Sequence, residues 1–148
     1  MPAITADLPA LAQSIKEWGR ELGFQQVAIA GLDLGEHEHH LQRWLDAGYH
    51  GDMDYMAAHG SKRSHPDELV PGTLRVVSLR MDYLPGDTHM AQLLAQPEKA
   101  YVSRYALGRD YHKLIRKRVQ QLADRIQADI GPFGFRAFVD SAPVLEKA

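Results

Sequence analysis

Two segments of the sequence hold the residues best suited to chemistry. The first runs from Tyr101 to Arg118 (YVSRYALGRDYHKLIRKR), and its candidate binding residues are Arg104, Tyr105, Gly108, Arg109, Tyr111 and His112. Arginine side chains bind phosphate or carboxylate through paired hydrogen bonds, and tyrosine rings stack on planar ligands. A glycine among them permits a close approach of the backbone to such a ligand. The segment therefore indicates an anion-binding site, without identifying the anion.

Positive charge is concentrated in the same part of the chain. Residues 99–125 hold eight of the 17 Lys and Arg residues and two of the 19 acidic ones, a balance of +6, whereas the rest of the chain carries −8. Lys113, Arg116 and Lys117, here called the basic face, are spaced to project from one side of a predicted helix, opposite its apolar residues. A cationic segment on an acidic body suits a polyanion that touches one face of the protein. The alternative is a helix face that simply contacts solvent.

The second segment is FVDSAPVLEK, residues 138–147, and its candidate catalytic residue is Asp140. A strand is predicted from Phe135 to Val139, so Asp140 would lie at the carboxyl end of a strand, where open α/β sheets place active groups. Flanking apolar residues would desolvate the carboxyl and fit it for proton donation. The alternative is an aspartate that caps the turn formed with Ser-Ala-Pro.

Two further groups of polar residues are weaker candidates. The three histidines within residues 37–40 resemble a metal-binding tract, but their spacing at a helix start does not bring three imidazoles together, so no metal site is predicted. The two aspartates within residues 51–56 would point to different sides of a helix. The methionines and the tyrosine beside them favour a packing role, with the lining of a large apolar cofactor as the alternative.

The pattern of apolar residues predicts how these segments are positioned. The predicted helices cover residues 8–22, 36–47, 50–58 and 110–130, with Asp110 as an N-cap and one more helical turn at 90–94. The predicted strands cover residues 27–30, 74–81 and 135–139, the second of them central in its sheet, and residues 101–105 are expected to be extended. This order predicts a sheet with helices packed against it, in an α+β or α/β fold.

Composition limits the possible functions. The chain has no cysteine, which excludes disulfides, thiol nucleophiles and iron–sulfur ligation by its own residues. No apolar run approaches the roughly 18 residues that would indicate a membrane span. Residues 1–24 lack the features of a secretory signal, so a cytoplasmic protein is expected.

Several long motifs together resemble the N-terminal part of epoxyqueuosine reductases. They are LGFQQVAIA, WLDAGYHGDMDYM, PGTLRVVSLRMDYLP, RYALGRDYHKLIRKR and FVDSAPVLEKA, and they extend over nearly the whole chain. The resemblance implies reduction of epoxyqueuosine to queuosine in the tRNA anticodon, the last step of queuosine biosynthesis, with cobalamin and two 4Fe-4S clusters. It also implies a cobalamin domain related to nitroreductases and to cobalamin-dependent reductive dehalogenases. In this family the aspartate of the V-D-[ST]-A-P motif is the proposed proton donor and matches Asp140. The Y-x-x-G-R-D-Y-H motif lies in the cobalamin domain and matches residues 105–112.

The sequence departs from this family's pattern in what it lacks. Family members continue into a G-W-x-G-K segment and a cysteine-rich ferredoxin-like domain, neither of which occurs here. Residues 1–148 are therefore expected to be a truncated piece of the cobalamin-binding catalytic domain, inactive alone, from an enzyme expected to be monomeric. The alternatives are a non-catalytic tRNA- or corrinoid-binding module, and a small-molecule reductase that resembles reductive dehalogenases.

Overall fold

The computed structural model describes residues 7–84, 89–140 and 142–145, which form an α+β fold. The two strands are β1 (Gln26–Ala30) and β2 (Val76–Arg80). The five helices are α1 (Leu8–Glu21), α2 (His37–Asp46), α3 (Pro66–Leu69), α4 (Met90–Leu94) and α5 (Tyr111–Ile130). Three short 3-10 turns cover Asp54–Met56, Gly60–Arg63 and Arg104–Ala106.

Helix α1 begins and ends where its sequence predicts. The side chain of Asp7 accepts a hydrogen bond from the backbone N–H of Ala10 at 3.3 Å, which satisfies one of the unpaired groups at the helix start. At the other end, Gly23 adopts φ +87°, a conformation that glycine reaches without steric cost and that stops the helix. The helix then packs on the sheet through its apolar side.

The sheet consists of β1 and β2 paired antiparallel, with Val27 opposite Leu79 and Ile29 opposite Val77. In the described part of the chain β2 pairs with β1 alone, so its interpretation as a central strand is wrong for this sheet. Gly19 lets α1 approach β1 closely, since a Cβ there would lie only 2.5 Å from Cγ2 of Val27. A two-stranded sheet is only marginally stable without such cover on its apolar face.

Helix α5 completes the core. Its predicted apolar stripe is confirmed: Leu122 and Ile126 are buried with Phe24, which is only 2% exposed, and Ile115 and Val119 pack at the edge. Burial of these side chains against α1 and the sheet is the main source of stability for this arrangement. This packing also sets the position of the first turn of α5, because the helix is continuous over its 20 residues.

Three predicted elements are wrong. Residues 135–139 form no strand. The described sheet consists of β1 and β2, and neither of them pairs with this segment, so its β-propensity is not realised. In the segment predicted to be extended, residues 101–103 lie in neither a helix nor a strand, while Arg104 and Tyr105 belong to the 3-10 turn Arg104–Ala106. The helix predicted at 50–58 is reduced to the turn Asp54–Met56. Ser141, part of the turn predicted after Asp140, lies outside the described residues.

None of the helices in the described ranges has the length and apolar character that a membrane span requires.

Candidate active site

The site is built on the first turn of α5. Asp110 is its N-cap, as predicted, and its Oδ1 accepts a hydrogen bond from the backbone N–H of His112 at 3.0 Å. This cap fixes where the helix begins and so sets Tyr111 and His112 on its first turn.

Asp140 follows Tyr111 by 29 positions in sequence but contacts this turn. The hydroxyl of Tyr111 donates to Oδ2 of Asp140 at 2.5 Å, and Nε2 of His112 lies 3.6 Å from the same oxygen. Asp140 adopts φ +56°, a left-handed conformation that non-glycine residues seldom adopt and that aspartate tolerates better than most. The structure therefore unites Asp140 with Tyr111 and His112, although no strand positions it.

The imidazole of His112 lies between two carboxylates. Its Nδ1 is 3.0 Å from Oδ1 of Asp110, while its Nε2 faces Asp140. The ring stacks on Tyr111 with centroids 4.0 Å apart, and Tyr105 contacts Tyr111 edge-on with centroids 6.3 Å apart. Asp110, Tyr111, His112 and Asp140 are here called the carboxylate–histidine cluster.

Hydrogen bonding shifts the protonation equilibria of two members of the cluster. The hydrogen bond to Asp140 is the main cause that raises the pKa of Tyr111 from 10.0 to about 12, so the phenol is a hydrogen-bond donor and not a base at neutral pH. The hydrogen bonds from His112 are the main cause that lowers the pKa of Asp110 below 3.8, so this carboxylate stays ionised.

The cluster is open to solvent. The side chain of Asp140 is 60% exposed and that of His112 is 45% exposed. The expectation that apolar neighbours would desolvate Asp140 is therefore wrong. A carboxyl this open could be reached by an incoming substrate and by water.

A second part of the site is a groove in front of the 3-10 turn that carries Arg104 and Tyr105. The groove, here called the aromatic groove, has a volume of about 260 Å³ and is lined by Tyr83, Leu84, Met90, Tyr101, Ser103, Arg104 and Tyr105. Most of these side chains are unusually exposed for apolar residues, for example Leu84 at 67% and Tyr83 at 62%. Contiguous exposed apolar side chains mark binding surfaces.

The other predicted binding residues lie between the groove and the cluster in sequence. Gly108 adopts φ +86°, and a Cβ at this position would meet nothing within 4 Å. Arg109 is exposed. The backbone between the turn and α5 is therefore accessible to a ligand at the glycine, as its residue type predicts.

The basic face is exposed, as its spacing predicts. Two other cations of α5 have structural partners: Arg118 lies against Sδ of Met81 at 3.6 Å, and Arg125 pairs with Glu21 at 2.5 Å. These contacts tie α5 to the residue that follows β2 and to α1, so part of the positive charge of residues 99–125 serves packing. The basic face remains exposed, and it begins at Lys113, the residue after His112 of the cluster.

The histidines of residues 37–40 lie at the start of α2, where the rings of His37 and His40 contact each other edge-on at 5.6 Å. Across the described ranges, His, Asp and Glu side chains form no group of three or more that could hold a metal ion.

Reasoning from sequence missed two features of the site. The aromatic groove includes Tyr83, Leu84 and Met90, which precede its other residues by about ten to twenty positions. Their apolar character beside a predicted loop was the available signal that they could line a binding surface. The sequence predicts Asp110 as a helix cap and as a member of the family motif at residues 105–112, but not as a partner of the His112 ring. Its position two residues before a histidine was the available signal that it could also contact the ring.

Comparison with known proteins identifies the family. The family described as "Epoxyqueuosine reductase QueG, DUF1730" matches residues 63–141, more than half of the chain. The chain belongs to this family. The matched range contains β2, the aromatic groove, the basic face and the whole carboxylate–histidine cluster.

Curated relatives from this epoxyqueuosine reductase family align along almost the whole chain. The protein from Pseudomonas aeruginosa named epoxyqueuosine reductase is 84% identical over 142 residues, covering 96% of this chain and 39% of the relative. Proteins of the same name from Escherichia coli and Vibrio cholerae are 59% and 56% identical, each covering 95% of this chain and 37% and 38% of the relative. The chain thus spans less than two-fifths of the length of these relatives. No solved structure matches it.

Proposed function

We propose that this chain is the N-terminal part of an epoxyqueuosine reductase, which reduces epoxyqueuosine to queuosine in a tRNA anticodon stem-loop. The observation that carries the proposal is the carboxylate–histidine cluster, inside the range matched by the family. In it an exposed acid accepts a hydrogen bond from Tyr111 and has Nε2 of His112 3.6 Å away. Removing the oxygen of an epoxide requires electrons and an acid that protonates the departing oxygen. Asp140 is the acid in this proposal.

The contacts of Asp140 suggest which of its oxygens donates. Tyr111 and His112 both approach Oδ2, so they hold the carboxyl from one side. We assign the donated proton to Oδ1, which leaves Oδ2 as the oxygen that the protein orients. The backbone at Asp140 is left-handed, and its side chain contacts Tyr111 of α5 in this conformation.

The aromatic groove and the residues beside it fit one side of a cobalamin. Exposed aromatic and apolar side chains suit the face of a large ring system, and the open space at Gly108 admits a close approach. The groove's volume of about 260 Å³ is below the roughly 300–1,000 Å³ of an ordinary small-molecule pocket, so it can form only one wall of such a site. The residues that would hold the cofactor are Arg104, Tyr105, Gly108, Arg109, Tyr111 and His112. When bound, cobalamin would supply the redox chemistry, while the protein supplies position and a proton.

Iron–sulfur clusters do not fit the residues present, because the chain contains no cysteine. In this proposal the two 4Fe-4S clusters take their ligands from outside residues 1–148, and the isolated chain does not turn over epoxyqueuosine. We further propose that the α+β arrangement is part of a nitroreductase-like cobalamin domain. A tRNA substrate would put the reaction in the cytoplasm.

The basic face supports a tRNA backbone as the polyanion. Lys113 directly follows His112, and the three cations extend over about 6 Å of helix axis at 1.5 Å per residue. Phosphates bound there would lie beside the cluster, which is where the backbone of a nucleotide presented to Asp140 would pass.

The test is to incubate the full-length protein with tRNA that carries epoxyqueuosine, together with cobalamin and a reductant, and to analyse the nucleosides by mass spectrometry. The proposal predicts conversion to queuosine. Binding of tRNA without conversion would instead indicate a non-catalytic module, and reduction of small halogenated substrates without tRNA binding would indicate a dehalogenase-like reductase.

A further inference from the structure

We infer that Asp110 is a positioning residue that fixes the tautomer of His112, and that His112 returns a proton to Asp140 after each turnover. The inference rests on the proposed function, in which Asp140 loses a proton each time an epoxide is opened. It assigns to Asp110 a role in the reaction beyond that of a helix cap.

Asp110 makes two contacts with the same residue. Its Oδ1 accepts the backbone N–H of His112 at 3.0 Å and also lies 3.0 Å from the ring Nδ1. An ionised carboxylate only accepts hydrogen bonds, so the proton of a neutral imidazole must be on Nδ1. Nε2 is then the nitrogen free to gain and lose a proton, and it is the one that faces Oδ2 of Asp140 at 3.6 Å.

The ring cannot easily turn away from this alignment. It stacks on Tyr111 at 4.0 Å, and Tyr111 is itself held by its hydrogen bond to Asp140. The titratable groups that face the imidazole are therefore Asp110, Asp140 and Tyr111, with Lys113 acting on Asp110 and Tyr105 acting on Tyr111. Because the phenol of Tyr111 resists ionisation at neutral pH, the imidazole is the better proton source in the cluster.

The proposed transfer is balanced without any change in redox state. Asp140, once its Oδ1 has given a proton to the departing oxygen, is a carboxylate. The Nε2–H bond of the imidazolium breaks and an O–H bond forms at Oδ2, which leaves a neutral ring with its remaining proton on Nδ1, facing Asp110. A half-turn of the exposed carboxyl group about its Cβ–Cγ bond then exchanges the two oxygens, so that the new O–H takes the position from which the next proton is donated. Solvent then protonates Nε2, since the His112 side chain is 45% exposed.

The observed distance requires one adjustment. At 3.6 Å the nitrogen and oxygen are farther apart than the roughly 2.7–3.2 Å of a hydrogen bond. A shift of about 0.5 Å, or one water between them, would complete the path, and catalytic hydrogen bonds commonly shorten when substrate binds.

The test replaces Asp110 in the full-length protein by Asn and, separately, by Ser. Both residues cap helices about as well as Asp, so α5 should keep its stability, whereas neither supplies a carboxylate to the imidazole. The matched control is Asp7→Ser, which changes the N-cap of α1, where the side chain accepts from Ala10 and is remote in sequence from the cluster.

We expect kcat of Asp110→Ser to fall by about 10- to 100-fold with KM unchanged, because solvent would reprotonate Asp140 more slowly without an oriented imidazole. The kcat of Asp110→Asn should fall less, because its amide oxygen can still accept a hydrogen bond from Nδ1–H. The pH dependence of kcat should also change, while Asp7→Ser keeps the wild-type profile. A structural role alone would lower stability and leave the pH profile in place.

A second readout does not depend on activity. Nitrogen-15 NMR of labelled histidine in the full-length protein reports the tautomer of each ring. We expect His112 to carry its proton on Nδ1 in the wild type and to lose this preference in Asp110→Ser.

Two results would overturn the inference: an Nε2–H tautomer in the wild type, or an Asp110→Ser variant with wild-type kcat and pH profile. If the wild-type enzyme itself converts no epoxyqueuosine, the proposed function fails instead, so the two failures are distinguishable.

Discussion

The hydrogen bond between Tyr111 and Asp140 makes the ionisation of one tyrosine a direct report on the geometry of the site. With a pKa of about 12, Tyr111 should be only about one-tenth ionised near pH 11, whereas an ordinary tyrosine with a pKa of 10.0 should be about nine-tenths ionised. Asp140→Asn removes the negative charge and keeps a residue that tolerates the left-handed backbone. The ionised fraction of Tyr111 near pH 11 should then rise to about half or more.

The measurement is carbon-13 NMR of the protein labelled at tyrosine Cζ, with Tyr111→Phe to assign the signal and circular dichroism to verify folding at the same pH. Asp124→Asn is the matched control. It also removes one carboxylate from α5, but from a side chain that accepts a hydrogen bond from Nε2 of Gln120 at 2.8 Å and is not a member of the cluster. It should leave the titration of Tyr111 unchanged. A wild-type Tyr111 that is mostly ionised near pH 11, or one that does not respond to Asp140→Asn, would refute the proposed geometry.

The same pKa shift has a consequence for stability. Because the folded protein holds the proton of Tyr111 more tightly than the unfolded chain does, this group's contribution is fully present below about pH 10. It should be lost as the pH rises through about 12.

Three further outcomes follow from the structure. Replacing all three residues of the basic face by alanine in the full-length protein should lower the magnitude of the slope of log K against log salt for tRNA binding by about 2 to 3, since each phosphate contact contributes about 0.7–0.9. The control Arg125→Ala, which removes an ion-paired cation, should leave the slope unchanged. Gly19→Ala should lower the urea midpoint of unfolding, because overpacking against Val27 costs about 1–3 kcal/mol and outweighs the gain in helix propensity of about 1 kcal/mol. The control Gly31→Ala should leave the midpoint unchanged, because a Cβ there meets nothing within 4 Å. Phe24→Ala should cost about 3–5 kcal/mol in the free energy of unfolding measured by urea, since Phe24 is only 2% exposed.

The features that sequence predicted well are those specified by neighbouring residues. Helix α5 carries its cap at Asp110 and its apolar stripe within its own 20 residues, so its position follows from local signals. The exposure of the basic face follows from the same stripe, because residues opposite a buried face must meet solvent.

The features that sequence predicted poorly depend on distant partners. Residues 135–139 have the composition of a strand, but a strand forms only where another strand supplies hydrogen bonds, and no local pattern specifies that partner. The contact between Asp140 and Tyr111 spans 29 positions and depends on how the chain returns after α5. Motif resemblance pointed to both residues, yet only the folded arrangement shows that the acid is exposed and which groups hold it.

The central claim is that Asp140 donates the proton that opens the epoxide. The most direct measurement is the rate of queuosine formation by the full-length protein with Asp140→Asn, alongside its affinity for tRNA. The account predicts a loss of about 100- to 10,000-fold in rate, as is typical when a general acid is removed, with tRNA binding and folding retained. A variant that forms queuosine at nearly the wild-type rate would contradict it.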